Sequence, residues 1–180
     1  QSAEKMVRCG ACQRVLKYVD ENGCLWGDFL GLKYTLYFFT NLAALYKSKS
    51  HCKVPLTTGA AAIALDVLHY RKSTAFSKRR VDRTLFAQGS NKEATQLHWC
   101  AASLALALLR GPVRSSALSI LVKEYSLTEA IRDALCRWSR YRQIVLVHTW
   151  LLQELVKEGA LLRKEEAARR PFGFGSLLQV

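Results

Sequence analysis

Apolar residues along this chain recur at spacings of three and four rather than two, so the elements they predict are helices. Cys9, Cys12, Leu16 and Val19 share one face of a first helix expected over about residues 4–19, and Asn22-Gly23 supplies a turn that ends it. A second helix follows over about 26–46. It carries Trp26, Phe29, Tyr34, Tyr37, Phe38, Phe39 and Tyr46, placed around its circumference, which predicts burial on several sides. Residues 47–53 read as a basic polar linker. Pro55 with Thr57 and Thr58 then reads as a helix start, giving a third helix over about 58–72. That helix opens on Gly59-Ala60-Ala61-Ala62, small residues that let another backbone come close and predict a sandwiched position.

Periodicity fails over residues 73–92, a connection long enough to be functional or to mark a subdomain boundary. It resumes over about 92–110 and stops at Gly111-Pro112, a glycine after the helix and a proline that cannot extend it. A short helix is expected over 115–125. Ser126-Leu127-Thr128-Glu129 has the spacing of a capping box, from which one long helix is predicted to run to about residue 168, with Asp133 and Arg137 as an i,i+4 pair. Pro171 ends it before an apolar tail, Phe172 to Val180. The expectation is therefore an all-α protein, an irregular bundle of five or six helices with one long C-terminal helix. Its parts are aromatic-rich N-terminal helices (1–72), a basic connecting segment (73–92), and C-terminal helices with the tail (93–180), forming one domain overall. A chain of 180 residues is long enough to bury a sizeable core.

The two most apolar stretches, 29–46 and 97–109, are broken by Lys33 and Asn41 or stopped by Arg110, and fall short of the about 20 mostly apolar residues that span a bilayer. They are expected to be core helices. Residues 1–14 lack the apolar run of a signal peptide, and an upstream targeting sequence is compatible with the first residue, Gln1.

Charge changes this picture. Half the residues are hydrophobic, yet the formal net charge is +13. A packed domain with that excess is built to meet something anionic. Two clusters concentrate the charge. Arg71, Lys72, Lys78, Arg79, Arg80 and Arg83 lie together, opposed by Asp82 alone. Arg132, Arg137, Arg140 and Arg142 are interleaved with Trp138 and Tyr141. Guanidinium groups donate paired hydrogen bonds to phosphate, and neighbouring aromatics can stack on bases or sit at a lipid headgroup boundary.

Catalytic signatures are missing: no HExxH, GxSxG, P-loop or GxGxxG occurs, and none of His51, His69, His98 and His148 has an i,i+4 ligand partner. Asp66 and His69 could form an i,i+3 pair, which is not an active site by itself. Cys9-Gly10-Ala11-Cys12 could bind zinc with Cys24 and either His51 or Cys52, although no second CxxC completes the pattern. The same run with Cys24 resembles the start of saposin-like chains, but the later cysteines do not continue that pattern. Cys100 and Cys136 sit in apolar helical contexts and are expected as buried thiols, which suits a reducing or mitochondrial compartment. These features point to a non-enzymatic structural or accessory subunit of a large assembly, a mitochondrial membrane-associated complex fitting best. It would contact protein subunits and an anionic surface, with no cofactor, metal or small-molecule substrate implied. An RNA- or DNA-binding structural protein of ribosomal or nucleocapsid type is the alternative, and a thiol-dependent zinc protein the second alternative.

Overall fold

A computed structural model describes residues 10–21, 29–45, 49–69 and 91–169. Among them the chain is all-helical, as the periodicity predicts. Eight α-helices occur there, more than the five or six expected: α1 (Ala11–Glu21), α2 (Phe29–Leu45), α3 (Lys49–Thr57), α4 (Ala60–His69), α5 (Asn91–Arg110), α6 (Arg114–Leu118), α7 (Leu127–Arg137) and α8 (Arg142–Arg169). A π-helical turn, Ser119–Glu124, continues α6.

The bundle is organised around α5, which packs against α2, α4, α6 and α8. Its sequence explains why. Leu97, Cys100, Ala101, Ala102, Leu104, Ala105 and Leu108 are buried and lie around the helix rather than along one stripe, the pattern of a helix enclosed by neighbours. The alanines leave room for adjacent backbones, and the leucines fill the spaces between them. The small-residue helix α4 is sandwiched as expected: Ala60 to Leu65, with Val67 and Leu68, are all buried, and it packs on α5 and α7.

Four local departures from the sequence expectation have physical causes. Residues 49–53 of the expected linker belong to a helix, because α3 buries Cys52 and Pro55 against its neighbours despite the proline. Pro55 sits near the end of α3, so the backbone hydrogen bond it cannot donate costs little continuation. Thr57 and Thr58 do not start a helix; their hydroxyls donate back to the Lys53 and Val54 carbonyls and close α3. Gly59, at φ +86°, then turns the chain into α4 in the left-handed conformation that glycine adopts without steric cost.

The expected capping box is also not formed. Ser126 has φ +51° and its side chain caps nothing. A capping serine needs an extended backbone, whereas the preceding π turn, closed by Tyr125 N–H donating to the Ile120 carbonyl at 3.2 Å, delivers the chain in the left-handed region. Helix α7 still begins where the pattern placed it.

The single long helix expected over 128–168 is broken at Trp138 to Tyr141. No proline or glycine causes this. Trp138 turns into the core beside Ala94, Ala134 and Ile144, its N–H closes α7 on the Ala134 carbonyl at 2.8 Å, and Tyr141 N–H returns to the Trp138 carbonyl at 2.9 Å. Burial of the indole outweighs continuation of the helix.

Helix α2 differs in another way. Leu32, Leu36, Phe39, Leu42 and Ala43 are buried, but Leu30 (61% exposed), Tyr34 (64%) and Tyr37 (39%) face outward. The aromatic helix expected to be covered on several sides therefore has one face open in this chain.

Candidate functional site

Arg137, Arg140 and Arg142 lie at the corner between α7 and α8, and Arg132 lies earlier on α7. Arg132, Arg137, Arg140 and Arg142 are all exposed, because the corner forces the chain around Trp138 and leaves the long side chains outside. Asp133, expected to pair with Arg137, accepts from Arg132 at 3.4 Å, a contact open to solvent and weak. The aromatics of this cluster behave differently from the arginines. Trp138 is 8% exposed and Tyr141 half-buried, the two rings meeting edge to face at 5.4 Å. The indole belongs to the core rather than to a stacking platform. The other basic cluster, Arg71, Lys72, Lys78, Arg79, Arg80 and Arg83, lies outside the described residues, as does the apolar tail beyond residue 170.

Beneath the corner the fold brings together two histidines that are fifty positions apart in sequence. His98 on α5 and His148 on α8 are buried and stack with ring centroids 5.2 Å apart, and Trp138 lies 6.2 Å from His98. The His148 Nδ1–H donates to the Ile144 carbonyl at 2.8 Å, which fixes this nitrogen as the protonated one in the neutral ring. The Nε2 atoms of both rings are buried with no hydrogen-bond partner among the described residues. Burial lowers the His98 pKa to about 3, helped by His148 and by the positive charge of Arg137. Burial lowers that of His148 as well, against the opposing Ile144 hydrogen bond. Both rings are neutral at physiological pH. No spacing along the sequence reveals this pair, since the two residues come from different helices.

A third cluster joins α5, α6 and α8. Glu154 is nearly inaccessible, and its carboxylate accepts from Arg110 Nε (3.1 Å), Arg114 Nη1 (3.0 Å) and Lys157 Nζ (3.0 Å). Arg114 also donates to the backbone carbonyls of Glu154 and Leu109. Burial pushes the Glu154 pKa up, but the donated hydrogen bonds from Lys157, Arg114 and Arg110 outweigh it and hold it at about 2. The Arg110 guanidinium lies 5.9 Å over the Trp150 ring, which itself meets Trp99. Three cations share one carboxylate, so the cluster keeps surplus positive charge.

The remaining sequence candidates disperse. His69 Nε2 lies 2.8 Å from the Tyr125 carbonyl, which ties α4 to the end of the π turn. Cys12, Cys52 and Cys100 are buried thiols, and the Cys52 Sγ–H points at the Ala43 carbonyl. Cys136, expected to be buried, is exposed on α7. Cys9 and Cys24 of the possible zinc set lie outside the described residues, and no group of three or more potential metal ligands occurs among those described. Nor is any described helix long and apolar enough to cross a membrane. No family model, no curated protein and no solved structure matches the chain.

Proposed function

We propose that this chain is a non-enzymatic helical accessory subunit of a larger assembly, applied to an anionic lipid surface through the arginine corner at 132–142. A mitochondrial membrane-associated complex is the setting that suits its composition. The observation that carries this reading is the simultaneous exposure of Arg137, Arg140 and Arg142 at one bend and of Arg132 before it on α7, where Asp133 is its neighbour. A lipid surface is favoured over nucleic acid because the aromatic that could stack on a base, Trp138, is buried in the core. Outward apolar side chains such as Leu30 and Val156 suit protein or lipid neighbours.

Sedimentation with vesicles tests this. The protein should pellet with vesicles containing phosphatidylserine at low salt and not with phosphatidylcholine alone, and binding should fall as salt rises. Replacing the four arginines by Gln should reduce binding at least about tenfold, each juxtamembrane cation contributing ~1 kcal/mol, with the helical circular dichroism spectrum unchanged. Absence of binding to anionic vesicles, or equal binding by the variant, refutes the reading. Tighter binding to RNA than to vesicles would move it to the nucleic-acid class.

A further inference from the structure

Helices α2 and α5 run in the same direction. Lys33 Nζ donates to Gln96 Oε1 at one end of the pair, and at the other end the Ala43 carbonyl lies beside Gly111. Between their C-terminal ends the surface opens into a groove of about 470 Å³, lined by Thr40, Ala43, Ala44, Leu106, Ala107 and Arg110 among others. This volume lies in the range of sites that take small organic ligands. The groove exists because its walls are alanines where either helix could have carried larger side chains.

Its chemistry is lopsided. The Thr40 hydroxyl is turned back onto the Leu36 carbonyl of its own helix, so it presents no donor to a ligand. Ser103 adds a second lining hydroxyl, and the rest of the floor is mostly apolar. The one charged lining residue is Arg110, half exposed at the mouth. Its Nε is held by Glu154 and its guanidinium rests over Trp150, which sets its orientation. Its two Nη nitrogens have no partner among the described residues. Arg114 and Lys157 compete for the same carboxylate, so the guanidinium is only partly neutralised. A pre-oriented arginine with its Nη edge open is suited to a carboxylate. Ala44 also lies seven positions after Tyr37 and fourteen after Leu30, so the groove continues the outward face of Leu30, Tyr34 and Tyr37. A chain too long for the groove would extend along that face.

We propose that the α2–α5 groove binds the hydrocarbon chain of a long-chain fatty carboxylate, whose head is held by Arg110. The groove supplies apolar contact for the tail, Arg110 supplies charge complementarity for the head, and the Leu30–Tyr34–Tyr37 face accommodates the excess length. This site is separate from the arginine corner. Glu154 lies twelve residues beyond Arg142, about 18 Å along α8, so either proposal can fail alone.

Calorimetric titration with dodecanoate below its micellar concentration tests the inference. One dodecanoate should bind per chain, and acetate should not bind. Dodecanol, which keeps the tail and loses the charge, should bind about tenfold more weakly, the equivalent of about 1.4 kcal/mol. Ala44→Phe places a ring at the exposed rim, where it cannot disturb the core, and should weaken dodecanoate about tenfold or more with an unchanged circular dichroism spectrum. Arg110→Gln should weaken dodecanoate and leave dodecanol as it was. The four-arginine corner variant should bind dodecanoate like the parent chain. No saturable binding of dodecanoate, or binding that Ala44→Phe leaves unchanged, overturns the proposal. Equal affinity for dodecanoate and dodecanol overturns the role given to Arg110.

Discussion

Acidification should destabilise this fold through His98 before Glu154 contributes, and replacing His98 by Leu should remove the His98 part of that loss. A histidine in an unfolded chain titrates near 6.5, whereas burial beside His148 and Arg137 holds His98 at about 3. The folded state therefore keeps the ring neutral while the unfolded chain takes up a proton. The contribution of His98 is complete above pH 6.5 and is lost as the pH falls from there towards 3. Linkage with these two values gives ~2 kcal/mol lost between pH 7.5 and 5, and ~5 kcal/mol once the pH is below 3. The ring is 2% exposed, so solvent screening does not reduce these figures much. His148 shifts in the same direction and adds to the loss. Glu154 does not interfere in this window. Its pKa is lowered from 4.5 to about 2, so the stability it contributes is present above 4.5 and is lost progressively as the pH falls from there towards 2, below the window between pH 7.5 and 5. Urea titrations followed by circular dichroism at pH 7.5 and pH 5 measure the effect. The drop in unfolding free energy between the two pH values should be smaller by about 2 kcal/mol in His98→Leu than in the parent. Titrating groups that do not touch His98 cancel in that difference, whereas His148, stacked on it, does not. An equal drop in both proteins would show that His98 is hydrated or charge-compensated in the fold, and the reasoning would be wrong.

Glu154→Gln should destabilise by about 3 kcal/mol or more, because it leaves Arg110, Arg114 and Lys157 crowded together without their counter-charge. A fall of roughly 10 °C in Tm is the expected readout, and a change under about 2 °C would refute it. Ser126→Gly should raise stability by ~0.5–1 kcal/mol, since φ +51° strains a side chain that makes no cap hydrogen bond; a loss in chemical denaturation would show that the hydroxyl matters. In native protein, iodoacetamide should modify Cys136 well before Cys12, Cys52 and Cys100 by peptide mass spectrometry, because exposure governs access while burial pushes the Cys52 and Cys100 pKa values up.

Helix α5 shows how much of this was legible in the sequence. Its start within one residue, its end at Gly111-Pro112 and its burial all follow from the apolar spacing and the stop signal. Sandwiched α4 was legible for the same reason, its run of alanines and branched aliphatics admitting no solvated face. The α7–α8 break was not legible, since nothing in Trp138-Ser139-Arg140-Tyr141 forbids a helix. Only the space between α5 and α8 favours turning the indole inward. The failed cap at Ser126 has a similar origin: the sequence specified a suitable residue, and the π turn before it set the wrong dihedral angles.

Local chemistry, then, determined the helical class, most of the helix limits and the unbalanced positive charge, because periodicity, glycine, proline and ionisable groups act through neighbouring positions. The tertiary structure decided everything that depends on distance between helices. It placed His98 on His148, gathered three cations onto Glu154, buried Trp138 while leaving its arginine neighbours outside, and opened an alanine-walled groove ending at Arg110. Apart from the i,i+3 contact of Lys157 with Glu154, these arrangements depend on more than one helix, and no spacing along one helix encodes where another will lie.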